Sequence, residues 1–172
     1  DKIADNGAPI QANRVLAYLR RFFNWCLERD IIDGSPVSRV KPPHRERSRD
    51  RVLSHQELQA VWEGAEKMGY PFGPMIKLLI MTGQRLNEVA IAPWSEFDLD
   101  KAEWKLPGSR TKNGLAHTVH LSHTAIEIIS GLPKIDGSKL MFTTTGTTPI
   151  SGFSKAKKKL DTLSGTSDWT FH

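Results

Sequence analysis

Only one cysteine, Cys26, stands in the sequence, so no disulfide can form within it. That residue falls among Leu16, Leu19, Phe22 and Phe23 at helical spacing, which reads as a buried thiol rather than a reactive one. Long hydrophobic runs are missing too: no stretch approaches the roughly 20 apolar residues needed to cross a bilayer. The N-terminus lacks the basic, apolar and small-residue succession of a secretory signal, so the expectation is a cytoplasmic protein with no membrane partner. Gly-rich phosphate loops, a serine elbow and cysteine clusters are absent, and nothing marks nucleotide, serine-hydrolase or cysteine-zinc chemistry. Tyrosine is scarce, with Tyr18 and Tyr70 alone.

What is present suits a folded protein with a sizeable core, since 38% of the 172 residues are apolar. Lys and Arg number 24 against 19 Asp and Glu, a net charge of +5 that favours polyanionic partners. The charge is clustered. Lys41, Arg45, Arg47, Arg49 and Arg51 form one group, and Lys155, Lys157, Lys158 and Lys159 another. Both are candidates for contact with the phosphates of a polyanion, against the plainer reading of solvated faces or a flexible linker.

The order of elements follows from periodicity and breakers. Ile10 to Ile32 carries Val15, Leu19, Phe22 and Cys26 on one stripe and reads as an amphipathic helix. Gly34-Ser35-Pro36 and Lys41-Pro42-Pro43 then end regular structure. This divides the chain into a helical part at 1–40, a basic interdomain linker at 41–51 and a second domain at 52–172. Ser54-His55-Gln56-Glu57 is a capping box opening a helix to about Met68. An apolar helix follows Gly73 and stops at Gly83, and Arg85 to Ile91 forms a short third helix ended by Pro93. Glu103 to Leu106, Ser109 to Lys112 and His117 to Leu121 are strand candidates, with Asn113-Gly114 as a tight turn between the last two. Ser122 caps a helix through Ile129, and Ser151 to Leu163 is helical. The expected class is mainly α with a small three-stranded antiparallel sheet, an α+β fold.

Three separated motifs carry chemistry. In Thr82-Gly83-Gln84-Arg85-Leu86-Asn87-Glu88, Arg85 offers a planar fork suited to a phosphodiester, and Glu88 shares its helix face as a brace. Lys112, in Arg110-Thr111-Lys112-Asn113-Gly114, stands at the tip of the expected hairpin, where a lysine near phosphate can protonate a departing oxygen. His172 closes Trp169-Thr170-Phe171-His172. Taken singly, Arg85 with Glu88 is equally a structural ion pair, and Lys112 an ordinary exposed loop lysine. His117, His120 and His123 recur every third residue, but a strand sends His117 and His120 to opposite faces, so no metal site is expected.

In this order the three motifs resemble the tyrosine recombinases, the phage integrase family of site-specific DNA strand-exchange enzymes, over nearly the whole chain. The resemblance implies that residues 1–40 end a helical core-binding domain and that 52–172 belong to the catalytic domain. It implies that Arg85 binds the scissile phosphate, Lys112 is the catalytic lysine of a β-turn and His172 opens the His-x-x-Arg box. DNA is broken and rejoined in this family through a 3′-phosphotyrosyl intermediate without cofactor. The family's second arginine and its tyrosine nucleophile would follow His172; Tyr18 and Tyr70 do not match. The resemblance also implies double-stranded DNA, a homotetramer of the full-length parent and a possible DNA-bending accessory protein as partners. The chain itself is expected to be an incomplete catalytic domain that binds DNA without cleaving it. Alternative readings are a non-catalytic helical DNA-binding module and a protein-interaction domain with incidental basicity.

Overall fold

The computed structural model describes residues 2–46 and 50–171. The chain divides into two compact units, Asp1–Asp50 and Arg51–His172.

In the first unit, a short helix α1 (Lys2–Asp5) precedes α2 (Pro9–Leu27), which starts at Pro9 because proline's fixed φ suits the first helical turn. Ala12, Leu16 and Cys26 are buried, as helical spacing requires of the thiol, but Leu19 and Phe22 from the expected stripe are exposed. The described part of this unit gives α2 only a short helix and an irregular tail to pack on, too little to cover a full apolar face. That tail carries no helix or strand beyond residue 30, and it returns alongside α2. Asn13 exchanges hydrogen bonds with the His44 backbone and donates to Glu46, while the Arg20 guanidinium donates to the Val40 carbonyl.

The second unit opens with α3 (His55–Met68), whose N-terminus is the expected capping box: Ser54 Oγ accepts from Glu57 N–H and Glu57 accepts from Ser54 N–H at 2.8 Å. Such a cap contributes about 1 kcal/mol. Helix α4 (Phe72–Thr82) buries Met75, Ile76 and Leu78 in the core with Val61 and Ala65 of α3. It ends where Gly83 takes φ 63°, a left-handed turn that a side chain would strain. Helix α5 (Leu86–Ala90) follows at once.

The sheet is three-stranded and antiparallel in the order β1 (Phe97–Asp98), β2 (Glu103–Leu106), β3 (His117–His120). Its composition corrects one expectation. Ser109–Lys112 is not a strand; Gly108–Arg110 is a 3-10 turn, and the two-residue β1 takes the third place. Register explains β1, since Phe97 is the direct partner of buried Trp104 and stacks on it at 5.0 Å. Leu106 pairs with His117, so residues 107–116 form one long connection and Asn113-Gly114 does not make a two-residue hairpin turn. Pro107 brings no N–H to continue a ladder, and Gly108 lies so close to the Gly114 carbonyl that a Cβ there would sit 2.3 Å from its oxygen. Helix α6 (His123–Ser130) is capped by Ser122, whose Oγ accepts from Ala125 N–H. The last helix, α7 (Phe153–Ser164), packs Leu160 into the core beside α3.

Candidate active site

The site is built where α4 gives way to α5. With Gly83 turned left-handed, Thr82 Oγ1 closes the helix on Leu78 O and Gln84 Nε2 bonds Thr82 O, so Arg85 emerges as the residue before α5. Glu88, one turn on, is only 3% exposed. One carboxylate oxygen accepts Arg85 N–H at 2.9 Å and the other accepts Arg85 Nη1 at 3.1 Å, while the Arg85 side chain stays 54% exposed. The brace is thus buried and the fork is presented. Burial works to raise the Glu88 carboxyl, but the backbone and side-chain bonds from Arg85 outweigh it, helped by the Arg85 charge and by His117. The net direction is downward, and the carboxylate stays charged under its partner.

Lys112 reaches the same place from the β2–β3 connection. Thr111 is buried and its Oγ1 lies within hydrogen-bond distance of both Gly108 O and Leu115 O, which folds residues 108–115 into a closed turn. Gly83, Gln84, Arg85, Glu88, Lys112 and His117 line a cleft of about 460 Å³. Arg110 and Thr111 join Arg85, Glu88 and Lys112 around a second cleft of about 440 Å³. Among the described residues the Lys112 ammonium makes no hydrogen bond or ion pair and is left for a ligand.

The other residues singled out in the sequence divide. His172, Arg47 and Arg49 lie outside the described residues. The segment leading to His172 is placed: Trp169 and Phe171 meet edge to face at 5.5 Å and line an apolar cavity with Gly83 and Gln84, the residues just before Arg85. Lys41 and Arg45 are exposed in the first unit. Arg51 is engaged, donating to the Glu57 carboxylate through Nη1 and Nη2. On α7, Lys155, Lys158 and Lys159 are exposed at i, i+3, i+4 spacing and share a face. Lys157 turns elsewhere, pairing with Asp161 and lying 4.2 Å from the Trp169 ring centroid. Of the three histidines, His117 Nε2 is 3.0 Å from Gln84 Oε1 and His123 faces Glu127.

Sequence reasoning passed over two residues of this site. Arg110 was read only as part of its motif, yet its side chain is 16% exposed and its guanidinium is bonded to Glu96. His117 was weighed only as a metal ligand, and it lines the cleft instead. The signal for Arg110 was its place two residues before Lys112; for His117 no local signal existed, because Gln84 is distant in sequence.

The sequence model described as "Phage integrase family" matches residues 51–172, the whole of the second unit. The chain belongs to the phage integrase family. Among curated relatives, this integrase-family chain is 26% identical over 138 residues to the tyrosine recombinase XerC of Erythrobacter litoralis, covering 76% of the chain and 44% of that protein. It is 37% identical over 60 residues to the prophage integrase IntA of Escherichia coli, covering 35% of the chain and 14% of that protein. The chain therefore spans less than half the length of either. Among solved structures, a lambda integrase (75–356) dimer bound to a COC' core site superposes with a TM-score of 0.75 at 18% identity, covering 99% of this chain and 62% of that one. A lambda integrase tetramer bound to a Holliday junction gives 0.74 at 19% identity, covering 99% and 52%. These structures share the integrase fold.

Proposed function

We propose that this chain is the phosphate-gripping portion of a site-specific DNA recombinase that breaks and rejoins strands through a 3′-phosphotyrosyl intermediate. The observation that carries the reading is the arrangement of Arg85 and Lys112 on one open cleft, with the arginine fixed from beneath by buried Glu88. In this reading Arg85 bonds two nonbridging oxygens of the scissile phosphate and stabilises the charge that grows there as phosphorus is attacked. Lys112 gives a proton to the 5′ oxygen as its bond to phosphorus breaks. His172 is the third member, assisting phosphate binding and proton transfer.

A tyrosine phenol must supply the attacking oxygen, and neither tyrosine of this chain suits the role. Tyr70 Oη already accepts from Thr143 N–H at 3.0 Å and lies 2.6 Å from Thr143 O, while Tyr18 belongs to α2 in the other unit. The chain alone therefore binds duplex DNA without cutting it. Lys41 and Arg45, with the lysine face of α7, add backbone contacts, and residues 1–40 serve as the end of a core-binding domain. Assembly of the parent as a tetramer on DNA follows by likeness to the lambda integrase complex, and a DNA-bending accessory protein and a cytoplasmic, nucleoid-associated setting belong to the same proposal. No described helix is long and apolar enough to cross a membrane.

The test is duplex binding by fluorescence anisotropy across a salt series. The association constant should fall as salt rises, and Arg85→Ala should weaken binding and reduce the magnitude of the log–log slope by about 1. Binding indifferent to salt would mean that phosphate is not what the cleft holds and would favour a protein-interaction domain.

A further inference from the structure

Arg110 has a placement that its role in the motif does not require. Its Nη1 donates to Glu96 Oε2 at 2.8 Å and its Nη2 to the Glu88 backbone carbonyl. Glu96 is held in turn by Trp104 Nε1 at 2.9 Å, and Trp104 is buried in β2. The remaining donor, Arg110 Nε, is sealed from solvent without a partner. An unpaired buried donor works against folding, so simple stability does not account for a guanidinium here; an apolar side chain would fill the space without that penalty. The fork does one thing an apolar side chain cannot. It joins Glu96 beyond α5, through Glu96 the Trp104 of β2, and the main chain of Glu88, whose own carboxylate holds Arg85.

We infer that Arg110 is a positioning residue that locks the turn carrying Lys112 to α5, the helix that Arg85 precedes, so that the two phosphate-directed groups are held as one rigid pair. The inference rests on the functional reading above. Lys112 has no bond of its own among the described residues, so its place depends on the turn. Inside, the turn is closed by Thr111; outside, side chains tether its two ends, Arg110 at one and His117 through Gln84 at the other. The His117 bond is exposed and competes with water, whereas the Arg110 bonds are shielded. Arginine's planar fork spans two acceptors at once, which an ammonium does not.

The experiment is competitive amine labelling of the whole chain, free and saturated with duplex DNA, read lysine by lysine by mass spectrometry. Lys77, paired with Glu66 and not lining the cleft, is the internal reference. In the unaltered chain DNA should protect Lys112. In Arg110→Met that protection should drop by about threefold or more at saturating DNA, and Arg110→Lys should not restore it. Should these variants fail to fold by thermal melting, Glu96→Gln keeps an oxygen for Trp104 while weakening the grip on Arg110, and should move protection the same way. A merely structural Arg110 would lower the melting temperature and leave Lys112 protection in the folded protein unchanged; that result overturns the inference alone. Lys112 left unprotected in the unaltered chain would overturn the functional reading, and the inference with it.

Discussion

At the scale of single residues, acidic groups organise the basic ones. Glu57 serves two donors, the Ser54 backbone and the Arg51 fork, and the Arg51 bond is the chief reason that its carboxyl is lowered from the ordinary 4.5 to about 2. Glu88 shifts the same way, through Arg85. A carboxyl lowered in the folded protein takes up its proton more readily when unfolded, so acid favours unfolding. The stabilisation from Glu57 is complete above pH 4.5, declines below it and is gone once pH passes through about 2. Denaturant titrations between these limits should show stability falling with pH, and Glu57→Gln should flatten part of that fall. An unchanged slope in the variant would mean that the Arg51–Glu57 contact carries no weight in solution.

At the scale of elements, the connection between β2 and β3 decides whether Lys112 reaches the cleft. Its closure depends on the contact of Gly108 with the Gly114 carbonyl. Gly108→Ala should therefore force the turn open, costing about 1–3 kcal/mol by overpacking and weakening DNA binding as Lys112 withdraws. Equilibrium unfolding and anisotropy would check both; unaltered values would show that the turn yields without effect. This is also where the sequence was least legible. The helices were readable because each carries its own punctuation: Ser54 with Glu57, Gly83, and Ser122 all act where the sequence places them. The turn was misread as a strand because Asn113-Gly114 signals a hairpin locally, whereas Arg110 is drawn inward by Glu96 and Glu88, which no local pattern announces. Strand β1 was missed because two residues are too few to show alternation. Arg85 and Glu88 were legible as a pair because their partnership lies within one helical turn.

At the scale of the molecule, a net charge of +5 overstates what is free to meet a polyanion. Arg51, Lys77, Arg110 and Lys157 are all engaged by carboxylates, while Lys112 and the α7 lysines 155, 158 and 159 remain presented. The +5 was legible, but its division was not, since pairing depends on contacts such as Lys77 with Glu66 that join different helices. The two units differ in kind as well. Residues 51–172 own a continuous core, while residues 31–46 have no helix or strand. Limited trypsin digestion should cut first between Arg29 and Arg51 and leave a resistant product beginning near Arg51. Early cleavage within α3 or α4 would show that the second unit does not hold together as described.

Glu88 joins its two basic partners through different parts of itself, its carboxylate to Arg85 and its peptide oxygen to Arg110. A substitution at position 88 can alter only the first attachment, because every amino acid brings the same peptide oxygen. The second is beyond the reach of point mutation at that residue and yields only if the helix itself shifts. Inheritance can thus retune the grip on Arg85 by changing one codon, while the seat of the neighbouring turn passes unchanged through the same event.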